Sequence, residues 1–495
     1  MNIYNLFINN KSVEPRGGAY FETENPYLGR PWARVAEATA EDVDVAVKSS
    51  HRAMHEPSWR GAFTVRAALL RQLGDLVKAN VDRLAEAEVR DNGKTISEMR
   101  NQMRNTAEWY YYYGGLADKI EGRVLPTENP DLFNYSRYEP LGVVAAILPW
   151  NSPLRLLAWK VGPALAAGNA IVVKPSEFTS TSTLIFAELI REAGFPPGLF
   201  NVVTGKGPDV GGALLQHPLV AKVAFTGGET TGIKVYEAAA RDLKHASLEL
   251  GGKAANIVFE DADFENAVRG AVTGIFTSAG QSCTAGSRIL VHRSIHDRFV
   301  EALAAVGQTG QMGDPMDAGT EIGPIATRPQ YDRILAAIES AKAEGARLYC
   351  GGKPAVVDGG KGLFIEPTIF VDVDNRMRLA QEEIFGPVAA VIPFDTEEEA
   401  VAIANDTRFG LTGGVWTRDI GRAHRVAAAI DAGTIWINVY RVTSQLSPYG
   451  GFKHSGLGKE GGSQAIFDYL REKSVWVNLA SEVRSPFAAA PPRSS

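Results

Sequence analysis

Only two cysteines, Cys283 and Cys350, occur in the 495 residues. So few, so far apart, build neither a disulfide framework nor a Cys-x-x-Cys metal site, and a reducing, cytoplasmic setting without a structural metal is expected. No run of lysines or arginines is present and the formal charge is -6, which argues against a nucleic-acid or anionic-membrane partner. The most apolar stretch, 141–173, is broken by Pro149, Pro153, Arg155, Lys160 and Pro163, so it falls short of the roughly 18 uninterrupted apolar residues of a membrane span. The N-terminal residues lack the basic region, apolar run and small-residue cleavage site of a signal peptide. No internal repeat recurs. With 45% hydrophobic and 22% charged residues, the length predicts a soluble globular protein of two or three domains.

Residues 39–93 read as helices, opened by the start box Thr39-Ala-Glu-Asp42 and carried by Leu69, Leu70, Leu73, Leu76, Val77 and Leu84 near helical spacing. The aromatic cluster from Trp109 to Tyr113 reads as core and interface filling, and the alternating, polar 122–140 as an exposed strand. Short apolar runs then alternate with amphipathic segments, the pattern of parallel strands joined by helices. Strands are predicted at 143–148, 170–174, 200–204, 220–226 and 246–249. Helices are predicted to begin near Pro153, Thr179, Pro208 and Thr230, with Gly168 and Gly194 at C-cap positions. A second α/β region spans about 253–452, with strands at 288–291 and 434–438. A last strand is expected at 474–479, and 481–495, rich in Pro, Ala and Ser, reads as a disordered tail.

In open parallel sheets ligands bind beyond the C-terminal strand ends, where helix N-termini present backbone N–H groups to anions. The five predicted ends carry Trp150-Asn151, Lys174-Pro-Ser-Glu177, Gly205-Lys-Gly207, Gly227-Gly228 and Glu249-Leu-Gly-Gly252. Neither Gly227-Gly-Glu-Thr-Thr-Gly232 nor Gly205-Lys-Gly207-Pro-Asp-Val-Gly211 is the G-x-G-x-x-G fingerprint, so each is either a phosphate cradle or a set of turn glycines. Cys283 lies among small residues in Phe276-Thr-Ser-Ala-Gly-Gln-Ser-Cys283-Thr-Ala-Gly-Ser-Arg288. Small neighbours leave a sulfur accessible, although free cysteine is more often a small core hydrophobe.

Taken together, these segments closely resemble the aldehyde dehydrogenase superfamily over about residues 5–480. The resemblance rests on Pro149-Trp-Asn151, Trp159-Lys160 through Gly168-Asn169, Lys174-Pro-Ser-Glu177, Phe225-Thr-Gly227, Glu249-Leu-Gly-Gly-Lys253, Gly280-Gln-Ser-Cys283, Gly313-Asp-Pro315, Glu382-Glu-Ile-Phe-Gly-Pro387 and Pro448-Tyr-Gly-Gly-Phe-Lys453, and on the 34 residues separating Glu249 from Cys283. It implies an α/β protein with a Rossmann-like five-stranded parallel cofactor domain (1–121 and 141–251), a second α/β catalytic domain (252–452) and a small β oligomerisation arm (122–140 and 453–480) in a homodimer or homotetramer.

The same resemblance makes Cys283 the nucleophile, gives the oxyanion to the Asn151 amide and the Cys283 N–H, and makes Glu249 the base for the hydrolytic water. These are the parts aldehyde oxidation through a thioester requires. It implies NAD as cofactor, with Trp150, Lys174, Glu177, Gly207, Gly211, Phe225, Gly227, Gly228, Leu250, Glu383 and Phe385 in its site. Lys174 and Glu177 would hold the adenosine ribose, and the Glu177 carboxylate would repel the 2′-phosphate of NADP. NADP or dual use is the alternative, and release of the thioester to coenzyme A is disfavoured because hydrolytic members carry the acid seen at Glu249. Gly228 stands where the family usually has serine or a similar residue, and Ser282 and Thr284 flank Cys283 where many members have further cysteines. Cys350 is structural by the same comparison. Substrate-tunnel positions fall on Asn105, Ser152, Arg155, Leu156, Trp159, Arg441, Thr443 and Tyr449. This polar set, with two arginines, suggests a polar or carboxylate-bearing semialdehyde; otherwise each arginine pairs with a neighbouring carboxylate.

Overall fold

The computed structural model describes residues 1–483 and Phe487; the rest of the tail expected over 481–495 lies outside the described residues. Val143–Ile147 (VVAAI) and Ala170–Lys174 (AIVVK) are buried throughout, as strands covered on both faces must be, and branched apolar runs without polar alternation supply that. They sit inside an eight-stranded sheet whose parallel part runs, in spatial order, His245–Glu249, Val220–Thr226, Val143–Ile147, Ala170–Lys174, Phe200–Val202. Gly456–Leu457 adds antiparallel at one edge, and Leu6–Ile8 with Lys11–Val13 at the other.

The expected strands at 170–174 and 220–226 have those bounds. The others differ by one or two residues at an end, because Leu148 and residues 203–204 leave the ladder and His245 joins it. The crossovers are the helices Pro153–Ala166, Thr181–Glu192 and Glu229–Arg241. Near Pro208 a wide turn, Gly207–Gly211, leads into a short helix, Gly212–Gln216. Gly168 and Gly194, at φ +91° and +84°, follow the C-caps of their helices. Such left-handed positions favour a residue without Cβ.

From Val143–Ile147 the chain steps outward through two strands, then returns to the other side of Val143–Ile147 for Val220–Thr226 and His245–Glu249. The reversal opens a crevice between the C-terminal ends of Val143–Ile147 and Val220–Thr226, the place where such sheets take ligands. Residues 39–93 form helices as expected, starting at Ala40–Ala53. There Asp42 N donates to Thr39 Oγ1 (3.3 Å) and Thr39 N to Asp42 Oδ2 (2.9 Å), a reciprocal cap.

A second, seven-stranded sheet runs Arg347–Cys350, Thr368–Val371, Val388–Phe394, Arg288–His292, Ala255–Val258, Thr412–Trp416, Thr434–Ile437, parallel except for the first. Its alternation is visible in the packing: Ala255, Ile257, Leu290 and Ile392 enter one core, Val258, Ile289, Val291 and Val391 another. A separate arm pairs Leu132–Pro140 with Leu470–Asn478, with Val124–Leu125 as third strand. The last strand therefore begins at Leu470, not at 474, because each residue back to Leu470 finds a partner as far as Pro140. Between the second sheet and the arm, Lys453 pairs with Phe409 and Leu457 with Leu248, so this stretch lies against the sheets. No helix among the described residues is long and apolar enough to cross a membrane.

Candidate active site

The helix Phe264–Ile275 ends just before a tight turn in which Ser278 and Ala279 take left-handed φ values of +58° and +51°. For residues with a Cβ this costs roughly 1–2 kcal/mol each, and surrounding bonds hold the turn in place. Ser278 Oγ donates to Glu98. Gln281 Nε2 donates to Ser278 O and Pro324 O (both 3.3 Å), while its Oε1 accepts from Ala326 N (2.9 Å). At Gly280, φ +70°, a Cβ would lie 2.1 Å from Gly386 O, so the turn rests directly on residues 386–387. From this platform Cys283 emerges half-buried, its Sγ 3.5 Å from Tyr449 Oη. Burial pushes its thiol up. The Tyr449 hydrogen bond opposes this, the carboxylates of Glu383 and Glu249 reinforce it, and Arg441 opposes it. The other cysteine, Cys350, ends the edge strand of the second sheet and packs against its core.

Asn151 leaves the sheet at the crevice and is 8% exposed; its Nδ2 donates to Gln281 O at 3.3 Å, which joins the first sheet to the Cys283 loop. Glu249 ends His245–Glu249 and is buried, with no hydrogen-bond partner on either carboxylate oxygen. Burial, and then the neighbouring Glu460 carboxylate, hold its carboxyl well above the usual range, against Lys160 and Lys459. Buried polar atoms without protein partners are where water is expected.

Cys283, Asn151 and Glu249 line one cleft of about 430 Å³ at the crevice, together with Trp150, Gly227, Gly228, Leu250, Glu383 and Phe385. Gly228 is the N-cap of Glu229–Arg241 and presents no side chain; an added Cβ would meet nothing within 4 Å. A helix N-terminus open in this way suits a phosphate. Trp150 and Phe385 meet edge to face at 5.3 Å. Glu383 accepts from Gly252 N (3.0 Å), and burial moves its carboxyl up to about 7 despite that bond.

The remaining residues of the expected cofactor set lie outside this cleft. Lys174 is buried at the end of the neighbouring strand with its Nζ 3.1 Å from Glu177 Oε2. Burial lowers the Lys174 ammonium, and Glu177 opposes that. Gly207 and Gly211 bound the wide turn after Phe200–Val202. Phe225 is a core ring that would come within 2.5 Å of a Cβ on Gly227, so it requires glycine there.

On the far side of Cys283, a cavity of about 250 Å³ is lined by Trp109, Trp159, Trp436, Thr443 and Tyr449 among others. Trp109 stacks on Trp159 at 5.1 Å. The wall is thus more aromatic than a tunnel read as polar would be, and Trp109 belongs to it although its sequence context reads as core. Arg155 donates to the Thr443 hydroxyl and lies 5.7 Å from the centre of the Trp159 ring. Burial lowers its guanidinium, and Arg441 adds to that. Arg441 donates to Thr273 O (3.3 Å), Thr277 O (3.2 Å) and Ser278 Oγ (3.4 Å). Among the described residues neither arginine has a carboxylate within ion-pair distance. Asn105 is exposed on the helix Ile96–Leu116, outside both cavities.

Behind the site lies a polar cluster in which Lys94, Glu98 and Glu460 belong to no motif read in the sequence. Lys94 Nζ reaches Glu98 Oε1 (3.4 Å) and Ser152 Oγ (2.9 Å), so one buried lysine links the helix start after Asn151 to the turn before Cys283. Lys160 and Glu460, both buried, form an ion pair behind Glu249. No group of three or more metal-binding side chains is found among the described residues.

The model of the aldehyde dehydrogenase family matches residues 13–475. The (Z)-2-((N-methylformamido)methylene)-5-hydroxybutyrolactone dehydrogenase of Acinetobacter baylyi is 44% identical over 491 residues, covering 98% of this chain and 99% of that protein. Betaine aldehyde dehydrogenase of Cereibacter sphaeroides is 44% identical over 475 residues, covering 96% and 97%. Among solved structures, an NAD+ complex of aldehyde dehydrogenase from Bacillus cereus superposes with a TM-score of 0.95 at 44% identity, over 97% of each chain.

Proposed function

The chain belongs to the aldehyde dehydrogenase family and is an oxidoreductase acting on aldehydes, and from this premise we propose that it oxidises a carboxylate-bearing semialdehyde to the acid with NAD, through a thioester on Cys283. The Cys283 sulfur attacks the aldehyde carbon: its lone pair becomes the S–C bond as the C=O π pair moves onto oxygen. The Asn151 amide and the Cys283 N–H are the donors for that oxygen. When bound, NAD would supply the acceptor for the hydride that this carbon must lose, with its C–H pair, as the oxygen lone pair re-forms C=O and leaves a thioester on Cys283. Glu249 then takes a proton from water, whose oxygen adds to the thioester carbon, and the sulfur leaves as thiolate.

The fit for the dinucleotide rests on the bare helix N-terminus at Gly228, the Trp150–Phe385 edge contact and the half-buried Glu383, all on one cleft with Cys283. Lys174 and Glu177 would hold the adenosine ribose, and the Glu177 carboxylate disfavours a 2′-phosphate, hence NAD over NADP. Buried, unpartnered Glu249 supports hydrolysis over transfer to coenzyme A. The exposed apolar residues Trp476 and Phe133 on the arm support a homodimer or homotetramer, and the scarcity of cysteine a cytoplasmic setting.

Relatives with the same identity to this chain are named for substrates as different as a hydroxybutyrolactone and betaine aldehyde. The substrate class therefore has to come from this chain's own side chains. The observation that carries it is the pair Arg155 and Arg441, both within electrostatic reach of Cys283 and neither in ion-pair contact with a carboxylate among the described residues, although both feel the charge of Glu98, which is itself paired with Lys94. A guanidinium so placed attracts an anionic tail and repels a quaternary ammonium. Arg441→Ala, and separately Arg155→Ala, should raise KM for an anionic semialdehyde at least about tenfold, the loss of one charge-assisted hydrogen bond, while a neutral aldehyde of equal length changes little. Equal effects on both aldehydes would remove the anionic substrate.

A further inference from the structure

Tyr449 is 6% exposed, and its hydroxyl finds one hydrogen-bond partner among the described residues, the Cys283 sulfur at 3.5 Å. The phenol is not free to swing away. Trp159 lies against its ring at a centroid distance of 4.9 Å, and Tyr449 and Glu460 exchange backbone N–H···O bonds in both directions. Glu460 is in turn anchored by buried Lys160. Burial raises the phenol well above its ordinary value, so it keeps its proton across the neutral range and can only donate to a thiolate.

We propose that Tyr449 is a catalytic residue whose hydroxyl donates to the Cys283 sulfur, populating the thiolate before attack and receiving it again when the thioester is cleaved. The thiol proton is lost to solvent as the thiolate forms, and the phenol keeps its own proton throughout: the sulfur lone pair leaves the hydrogen bond to form the S–C bond, and returns to it when hydrolysis releases the thiolate. The inference rests on Cys283 being the nucleophile. The charged groups facing the sulfur are the carboxylates of Glu383 and Glu249, which disfavour the thiolate, and the guanidiniums of Arg441 and Arg155, which favour it. Tyr449 is the only neutral donor within hydrogen-bond distance of the sulfur among the described residues.

The test is the pH dependence of Cys283 alkylation by iodoacetamide in the full-length protein, in a Cys350→Ala background, without aldehyde or cofactor. Tyr449→Phe keeps the ring and removes the hydroxyl. It should move the alkylation midpoint up by about one pH unit, the size expected for one hydrogen bond to a charged group, and slow alkylation at neutral pH by up to about tenfold. The offset is partial because a more basic thiolate is also more nucleophilic. Tyr449→Leu, which also removes the ring, should shift the midpoint in the same direction. An unmoved midpoint in Tyr449→Phe overturns the proposal, and so does a shift confined to Tyr449→Leu, which would assign the effect to ring packing. Cys283→Ser, assayed for NADH formation, tests the nucleophile itself, so failure of that assignment is told apart from failure of the hydroxyl's role.

Discussion

Glu249 and Cys283 face the same problem from opposite sides. In the proposed reaction each must be ionised to act, and each sits where desolvation makes its charge costly. For Glu249 the consequence is kinetic. Its carboxyl is held well above its ordinary 4.5 by burial and by Glu460, so the fraction able to take a proton from water grows with pH through an inflection above the usual carboxylate range. Hydrolysis-limited turnover should therefore rise with pH across that inflection. In Glu249→Gln the rise should vanish and turnover fall by about 10²–10⁴, the usual worth of a general base, while the first burst of NADH, read by stopped-flow absorbance, persists. Unchanged steady-state turnover would remove Glu249 as the base.

At the scale of elements, the turn Thr277–Gly280 decides where the sulfur sits. Gly280→Ala combines a left-handed φ with a Cβ 2.1 Å from a backbone oxygen that no side-chain rotation can move aside. The turn must then lift off residues 386–387. A displacement near 1 Å of a reacting atom costs on the order of 10²-fold in rate, so activity should fall by about that factor and the melting temperature with it, while Gly228→Ala, whose Cβ would meet open space, should leave the melting temperature unchanged. Equal thermal stability of Gly280→Ala and the wild type would show that the turn is not under this constraint.

The same scale shows what the chain makes legible. Ala170–Lys174 and Val220–Thr226 are readable to the residue, because both are apolar runs ended abruptly by Pro175 and by Gly227. The helix expected near Pro208 is found, but its regular part starts only at Gly212, because the wide turn Gly207–Gly211 takes up the residues before it. Within the site, Asn151, Glu249 and Cys283 are readable from local motifs, and they share one cleft. Lys94, Glu98 and Ser278 are not, because their contact joins residues 180 positions apart, and neither hydrophobic period nor capping pattern carries that distance. Trp109 is buried in the first core, as its run of five consecutive aromatics implies, and only the packing shows that this ring also reaches Trp159 and the cavity wall.

For the whole molecule, the two sheets meet at the cleft, and the arm stands apart from both. Trp476, 61% exposed, stands on one face of the arm, and Phe133, 39% exposed, stands with its ladder partner Val477 on the other; exposed apolar side chains of this kind are what subunit contacts bury. Trp476→Asp should reduce the molecular mass measured by sedimentation equilibrium to that of a smaller assembly or the monomer. An unchanged mass would move the subunit contact elsewhere.

The pairing of Leu457 with Leu248, beside the proposed base Glu249, also sets an order of events. A ribosome that has released residues up to Glu249 has exposed all five parallel strands of the first sheet, and a nascent chain folds from its N-terminal part first. At that stage His245–Glu249 is still an open edge, able to pair with another chain. Neither Cys283, the proposed nucleophile, nor Tyr449 has yet been made. A chain interrupted there would carry the sheet and an adhesive edge, but neither Glu383 and Phe385, which complete the cleft, nor Cys283.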